Sequence, residues 1–97
     1  MGIGLINTDG LTGLHLAVLE NDVVKVKIEL SYGVNVNEKD SEGLTALHCA
    51  AKEGNREIVS ILCENGADAT LEDFEGFKPY HYAANEGFFE LSEFLHV

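Results

Sequence analysis

The sequence predicts an all-α solenoid, a row of short helix–turn–helix units that stack side by side. The first observation is a period: Gly10, Gly43 and Gly76 are spaced by 33 residues. The second is that a histidine follows each glycine after five positions, an alanine after seven and a glutamate after ten. The third is that apolar residues between the glycines follow a helical spacing. A constant period of this length is typical of repeat proteins, in which each unit is one supersecondary element.

The second unit shows the pattern of elements most completely. Thr45 is placed to cap a first helix, which Gly54 ends, and Asn55 then begins a second helix. Gly66 ends that second helix. Its broad apolar face consists of Ile58, Val59, Ile61 and Leu62.

Between units, residues 66–69 and 73–76 bracket a connector suited to a tight, hairpin-like turn. Asp40 and Asp73 belong to these turns, where a short carboxylate accepts hydrogen bonds from nearby backbone amides. Helices of about seven to ten residues are marginal alone, because nucleation is costly and few hydrogen bonds follow. Each unit must therefore be stabilised by its neighbour, which is how a solenoid forms.

The period and three segments resemble the ankyrin repeat over nearly the whole chain: Gly-Leu-Thr-Ala-Leu-His-Cys-Ala-Ala at 43–51, Glu-Gly-Asn at 53–55 and Asn-Gly-Ala-Asp-Ala at 65–69. The resemblance implies repeats at residues 7–39, 40–72 and 73–97, the last ending after its second helix. Residues 1–6 resemble the tail of a preceding connector. The family's Thr-Pro-Leu-His motif is complete in no unit. Lys25 and Glu29 also replace apolar residues of the other units, so the second helix of the first unit should be more polar.

The three matching histidines raise the question of a metal site. Residues one repeat apart should lie roughly 10 Å from each other on neighbouring helices, too far to share an ion. The resemblance instead implies that His15 and His48 hydrogen-bond connector backbone and the threonine three positions earlier. Lys78 replaces that threonine before His81, which should be less well fixed.

No pattern in the sequence predicts catalysis. Cys49 and Cys63 lack an activating base and an electropositive setting, and we interpret them as small buried apolar residues. Nucleophile-elbow, dinucleotide-binding and Walker-type glycine patterns do not occur. We therefore expect no catalytic, cofactor-binding or metal-binding residue, and a small enzyme is the weakest hypothesis.

Composition narrows the class of partner. Six basic and seventeen acidic residues give a net charge of −11, which disfavours nucleic acids and anionic membranes as partners. No apolar run approaches the roughly 20 residues that span a bilayer. Two cysteines do not form a disulfide scaffold, and the first six residues lack the basic leader of a secretory signal. We expect an intracellular protein, cytoplasmic or nuclear.

The family resemblance implies protein binding through the turn tips and the inner face of the first helices. The tip positions are Asp9, Leu11, Ser41, Glu42, Leu44, Phe74, Glu75 and Phe77. The helix positions are Leu19, Glu20, Lys52, Glu53, Asn85 and Glu86. Equivalent positions of the three units are all acidic in two cases, at the tips (Asp9, Glu42 and Glu75) and at the helix ends (Glu20, Glu53 and Glu86). These acidic residues favour a protein partner with a basic or mixed surface. A charged face that serves only solubility is the competing interpretation.

Two further hypotheses stay open. The chain could be a stoichiometric inhibitor, or a targeting or scaffold segment of a larger protein. Its last helix carries Phe88, Phe89 and Phe94, and no fourth unit follows to cover them. Either the chain is a piece of a longer array, which we favour, or this end contacts another chain, including a second copy of itself.

Overall fold

The computed structural model describes residues 10–96, which form six helices and no strand. The helices are α1 (Gly13–Leu19), α2 (Val23–Ser31), α3 (Ala46–Glu53), α4 (Arg56–Glu64), α5 (Pro79–Asn85) and α6 (Phe89–Leu95). The starts of α1, α3 and α5 are spaced by the repeat period, and the predicted all-α fold class is confirmed. The boundaries of the three repeats and of the lead-in at 1–6 stay predictions, and residues 1–9 lie outside the described range.

The first helix begins after a capping threonine in the first two units, as predicted for Thr45 in the second. The side chains of Thr12 and Thr45 accept a hydrogen bond from the amide of the histidine three positions later, at 3.2 and 3.3 Å. Each threonine thereby satisfies one of the backbone donors left open at a helix start. Lys78 offers no such side-chain bond, and α5 begins with Pro79 instead, a residue whose fixed φ suits the first helical position.

The second helices begin in a similar way. The side chains of Asp22 and Asn55 each accept a hydrogen bond of 3.1 Å from an amide in the first turn of α2 and α4. Phe88 occupies the same position before α6 and makes no side-chain cap bond. Gly54 ends α3 in the left-handed conformation with φ of 74°, which allows the chain to reverse within two residues.

The core is centred on α3, which packs against α1 on one side and α5 on the other. Six of its eight residues are buried: Ala46, Leu47, His48, Cys49, Ala50 and Ala51. Its partner α4 buries Ile58, Val59 and Leu62, whereas α2 buries only Val26. The surface of α2 includes exposed Lys25 as predicted, but Val24 and Ile28 are exposed as well, so α2 is less buried than α4 without being uniformly polar. None of the helices within residues 10–96 has the length and apolarity needed to cross a membrane.

The connectors are built around Asp40 and Asp73, as predicted. The Oδ1 atom of Asp73 accepts hydrogen bonds from the amides of Glu75 and Phe77, both at 2.9 Å, and the amide of Asp73 donates to the carbonyl of Phe77 at 2.8 Å. Asp40 repeats this arrangement one unit earlier. The amide of Phe74 donates to the carbonyl of Glu42 at 3.0 Å, so successive hairpin-like turns are joined through their backbones.

This close approach of neighbouring turns generates a test with a matched control. Gly43 and Gly76 occupy equivalent positions with φ of 84° and 89°. An added Cβ at Gly43 would lie 2.6 Å from the backbone nitrogen of Phe74, whereas nothing lies within 4 Å at Gly76. We expect Gly76→Ala to cost about 1 kcal/mol of unfolding free energy for its positive φ. Gly43→Ala should cost about 1–3 kcal/mol more, because backbone must move.

Urea unfolding of both variants, followed by circular dichroism, measures the difference. Equal losses of stability would contradict the packing of the second turn against the third.

Candidate functional site

The described site residues lie at the surface, along the turns and first helices. Leu11 and Leu44 are half-buried. The exposed residues are Leu19, Glu20, Ser41, Glu42, Lys52, Glu53, Phe74, Glu75, Phe77, Asn85 and Glu86. Asp9 lies outside the described residues. Their assignment to a binding site remains a prediction.

Three clefts between the turns and the first helices bring most of these residues together. One contains Leu11, Leu19, Glu42, Leu44 and Lys52. A second contains Ser41, Glu42, Phe74 and Glu75. A third contains Glu75, Phe77 and Asn85. The predicted turn-tip residues and helix residues thus share common clefts, while Glu20, Glu53 and Glu86 line none of the three.

Those three residues, the helix-end glutamates, have a different setting. Glu20 and Glu86 are the C-caps of α1 and α5, and Glu53 is the last residue of α3. The C-terminal end of a helix carries partial negative charge, so an acidic side chain there is unfavourable by about 0.3–1 kcal/mol. Helix stability favours lysine or arginine at these positions. The repeated glutamate therefore does not serve the stability of its own helix.

Only the first of the helix-end glutamates has a cationic partner among the ion pairs of residues 10–96. The Nζ atom of Lys25 lies 3.2 Å from Oε1 of Glu20, and both side chains are exposed, so the pair contributes little to stability. Ile58 and Leu91 stand at the position of Lys25 in the other two units. Among the helix-end glutamates, Glu53 and Glu86 thus have no ion-pair partner within residues 10–96 to neutralise their negative charge.

Histidines hold the turns against the first helices. Nδ1 of His15 and of His48 accepts a hydrogen bond from the backbone amide of the threonine three positions earlier, at 3.2 and 3.1 Å. Nε2 therefore carries the proton and donates to a carbonyl of the next unit, Leu44 for His15 at 2.8 Å and Phe77 for His48 at 2.9 Å. Both ring nitrogens are engaged, and each imidazole links two successive units.

The third histidine is held less tightly, as predicted. Nδ1 of His81 accepts from the amide of Lys78 at 2.9 Å, and its ring stacks on Tyr80 with centroids 4.1 Å apart. His81 is half-buried, whereas His15 and His48 are each 1% exposed. The structural role that the resemblance implied for the first two histidines is what their contacts show.

The cysteines are in settings that suppress thiol chemistry. Burial raises the pKa of the Cys49 thiol to about 12, and the nearby carboxylates of Asp40 and Glu53 act in the same direction. A thiolate at this position is therefore scarce at neutral pH, and the thiolate is the nucleophilic form. Cys63 is only half-buried, so the interpretation of both cysteines as buried holds for Cys49 alone; the partial burial still raises the pKa of the Cys63 thiol.

Tyr82 is a site residue that the sequence reasoning missed. It lines all three clefts, and its hydroxyl donates a hydrogen bond to Oδ2 of Asp73. Burial raises the pKa of the Tyr82 hydroxyl, and the Asp73 carboxylate raises it further. Leu16 and Cys49 stand at this position in the other units. The presence of a large side chain with a hydroxyl, where the other units have Leu16 and Cys49, is the sequence feature that distinguishes this position.

Both oxygens of the Asp73 carboxylate accept hydrogen bonds. Burial acts to raise its pKa, but the hydrogen bonds from the Tyr82 hydroxyl and from the amides of Phe77 and Glu75 outweigh that effect and lower the pKa below its ordinary value. Asp73 therefore stays ionised at neutral pH, and both of its carboxylate oxygens hold the third turn.

The three phenylalanines at this end, Phe88 before α6 and Phe89 and Phe94 within it, are all exposed. The ring of Phe88 lies close to Gly54, and Arg56 lies 5.6 Å from the ring centroid of Phe94. Phe89 is the most exposed of the three rings, at 69%. Self-association through this end stays a prediction, and Phe89 and Phe94, which is 51% exposed, are its most accessible rings.

Comparison with known proteins agrees with the described architecture. A family model for ankyrin repeats, in three copies, matches residues 2–73. A search of curated proteins finds no match to the chain. The matched range contains α1 to α4 and ends at Asp73, before α5 begins.

The buried imidazole of His48 gives a test of the inter-unit contact. Burial lowers its pKa below 6.5, although the Phe77 carbonyl and nearby carboxylates act in the opposite direction. A proton therefore binds the unfolded state more readily, and the stability contributed by neutral His48 should fall as pH drops below 6.5 towards the folded pKa.

Titration of the imidazole proton resonances by NMR measures this directly, with the His48 signal assigned from its loss in His48→Gln. We expect its midpoint below 6.5. A midpoint at or above that value would contradict the buried, doubly hydrogen-bonded ring.

Proposed function

The chain belongs to the ankyrin repeat family, and we propose that it is a non-catalytic module that binds a protein partner of basic or mixed surface. Ankyrin repeats are protein–protein interaction modules. The proposed binding face consists of the three clefts together with the helix-end glutamates. A free-standing inhibitor and a scaffold segment of a larger protein would use the same face.

The observation that carries this proposal is the repeated placement of acid where helix stability disfavours it. The helix-end glutamates lie at the C-terminal ends of α1, α3 and α5, which pack side by side. Each is exposed, and the tip glutamates Glu42 and Glu75 add to the same sign of charge. A basic partner would relieve this repulsion and would be attracted from a distance.

A catalytic role for the same face is less well supported by its geometry. Both ring nitrogens of His15 and of His48 are occupied by hydrogen bonds, so neither imidazole is open to accept a proton from a substrate. The raised pKa of Cys49 disfavours a thiolate nucleophile.

The chemistry of the partner can be tested before its identity is known. A library of random linear peptides, displayed on phage and selected on the immobilised chain, should become enriched in arginine and lysine. Binding of a selected peptide should weaken as salt is added, because exposed charge pairs are screened. Enrichment of acidic or purely apolar peptides would contradict the proposal.

The face itself is tested by charge reversal. Replacing all three helix-end glutamates, Glu20→Lys, Glu53→Lys and Glu86→Lys, should weaken binding of the selected peptide about tenfold at low salt, since three exposed contacts of a few tenths to 1 kcal/mol are lost or reversed.

The matched control reverses Glu57, Glu64 and Glu93 on α4 and α6, which are also exposed. This control changes the net charge by the same amount and should have a much smaller effect. Equal losses in the two triple variants would show that total charge, and not this face, governs binding. Isothermal titration calorimetry gives both affinities.

A further inference from the structure

The third-turn cleft is lined by Glu75, Phe77, His81, Tyr82, Ala84 and Asn85. Its apolar part includes two aromatic rings: the centroids of Phe77 and Tyr82 lie 6.2 Å apart with planes at 81°. Phe77 is 43% exposed, and Glu75 is an exposed carboxylate on the same turn. An aromatic surface beside a carboxylate is the combination that attracts an organic cation.

Two other exposed phenylalanines already have a cation from the chain itself. Nζ of Lys39 lies 5.8 Å from the ring centroid of Phe74, and Arg56 lies 5.6 Å from that of Phe94. Within residues 10–96 the ring of Phe77 has no such neighbour. Its aromatic contacts are Tyr82 and His81, whose centroid is 5.6 Å away. The third-turn cleft therefore offers an aromatic surface for a cation from outside.

We propose that the third-turn cleft binds an arginine side chain of the protein partner, with the guanidinium against Phe77 and Tyr82 and directed towards Glu75. The inference rests on the proposed function, because it names the partner residue that one part of the binding face receives. Arginine fits better than lysine. Its planar guanidinium stacks on a ring while its N–H groups reach a carboxylate in the same plane, and it is more weakly hydrated than an ammonium.

Tyr82 positions the cleft as well as lining it. Its hydroxyl holds Oδ2 of Asp73, while Oδ1 of Asp73 accepts from the amides of Glu75 and Phe77 at 2.9 Å. Two of the three residues that would contact the guanidinium, Glu75 and Phe77, are thus anchored to one carboxylate, which the third, Tyr82, fixes from α5. The second unit has Cys49 at this position, so its turn lacks the corresponding contact.

The test uses the whole chain and a single-residue probe. N-Acetylarginine methylamide is titrated into isotopically labelled protein, and N-acetylnorleucine methylamide serves as an uncharged probe of similar length. We expect the arginine probe to shift the backbone resonances of Phe77, Tyr82, Ala84 and Asn85. The norleucine probe should bind at least about threefold more weakly, because it gains neither the ring nor the carboxylate interaction.

Variants then separate the contributions. Phe77→Leu should weaken the arginine probe about threefold and reduce its advantage over norleucine to the part that Glu75 contributes. Leucine stands at this position in the first two units, as Leu11 and Leu44, so the variant is compatible with the fold. Phe94→Leu is the matched control: its exposed ring lies on α6 near Arg56, outside the proposed binding face, and the variant should leave probe binding unchanged.

Two more variants test the carboxylate and its positioning. Glu75→Gln should weaken the arginine probe about threefold and leave the norleucine probe unaffected. Tyr82→Phe keeps the ring but removes the bond to Asp73. It should also weaken the arginine probe selectively, a change that a general loss of stability would not produce.

The proposal is overturned if the cleft resonances do not shift, if both probes bind equally, or if Phe77→Leu behaves as the parent chain does. These outcomes are separable from those of the charge-reversal experiment. Salt-dependent peptide binding without a response to the arginine probe would contradict the arginine site in the third-turn cleft and still support the acidic binding face. A response to the arginine probe, together with unchanged peptide affinity in the helix-end triple variant, would support the arginine site and contradict a role of the helix-end glutamates in binding.

Discussion

The contact on which the array depends is the hydrogen bond from a buried histidine to the turn of the next unit. Helices of seven to nine residues are too short to be stable alone. His15 and His48 each join the start of a first helix to a carbonyl 29 residues later. Because that carbonyl belongs to Leu44 or Phe77, the bond that couples neighbouring units also sets the position of the turn tips. Stability and the shape of the proposed binding face thus have a common origin.

The turns are not equivalent, although their backbones are. Asp40 and Asp73 accept the same pair of amide hydrogen bonds, but only Asp73 also receives the hydroxyl of a tyrosine from the adjoining helix. The third turn is therefore joined to α5 by a side-chain hydrogen bond between Tyr82 and Asp73. A preorganised turn loses less conformational entropy when a partner binds. This asymmetry supports the proposal that the third unit makes the most selective contact on the proposed face.

Much of the fold could be predicted because its determinants are local. Thr45, Gly54 and Asn55 act within a few residues of their own positions. The period extends the two capping assignments to Thr12 and Asp22 in the first unit, whereas Lys78 and Phe88 replace the capping residues in the third. Tyr82 shows why the clefts could not be predicted equally well. The repeat register places it beside Leu16 and Cys49, but the direction of its hydroxyl depends on Asp73, nine residues earlier and on another element. Periodicity gives a residue's position within a unit and not its three-dimensional neighbours.

The helix-end glutamates illustrate how such a face can depart from the rules that stabilise the fold. An acidic residue at the C-terminal end of a helix costs about 0.3–1 kcal/mol, so three cost about 1–3 kcal/mol. Burying one leucine or isoleucine side chain contributes about 1.5–3 kcal/mol, and Leu47, Ile58 and Leu62 are each at most 1% exposed. The core therefore offsets the unfavourable charges with a few residues. Because the core and the face use different positions of the same repeat, the face can hold charges that lower stability, and departures of this kind are expected where a protein binds its partner.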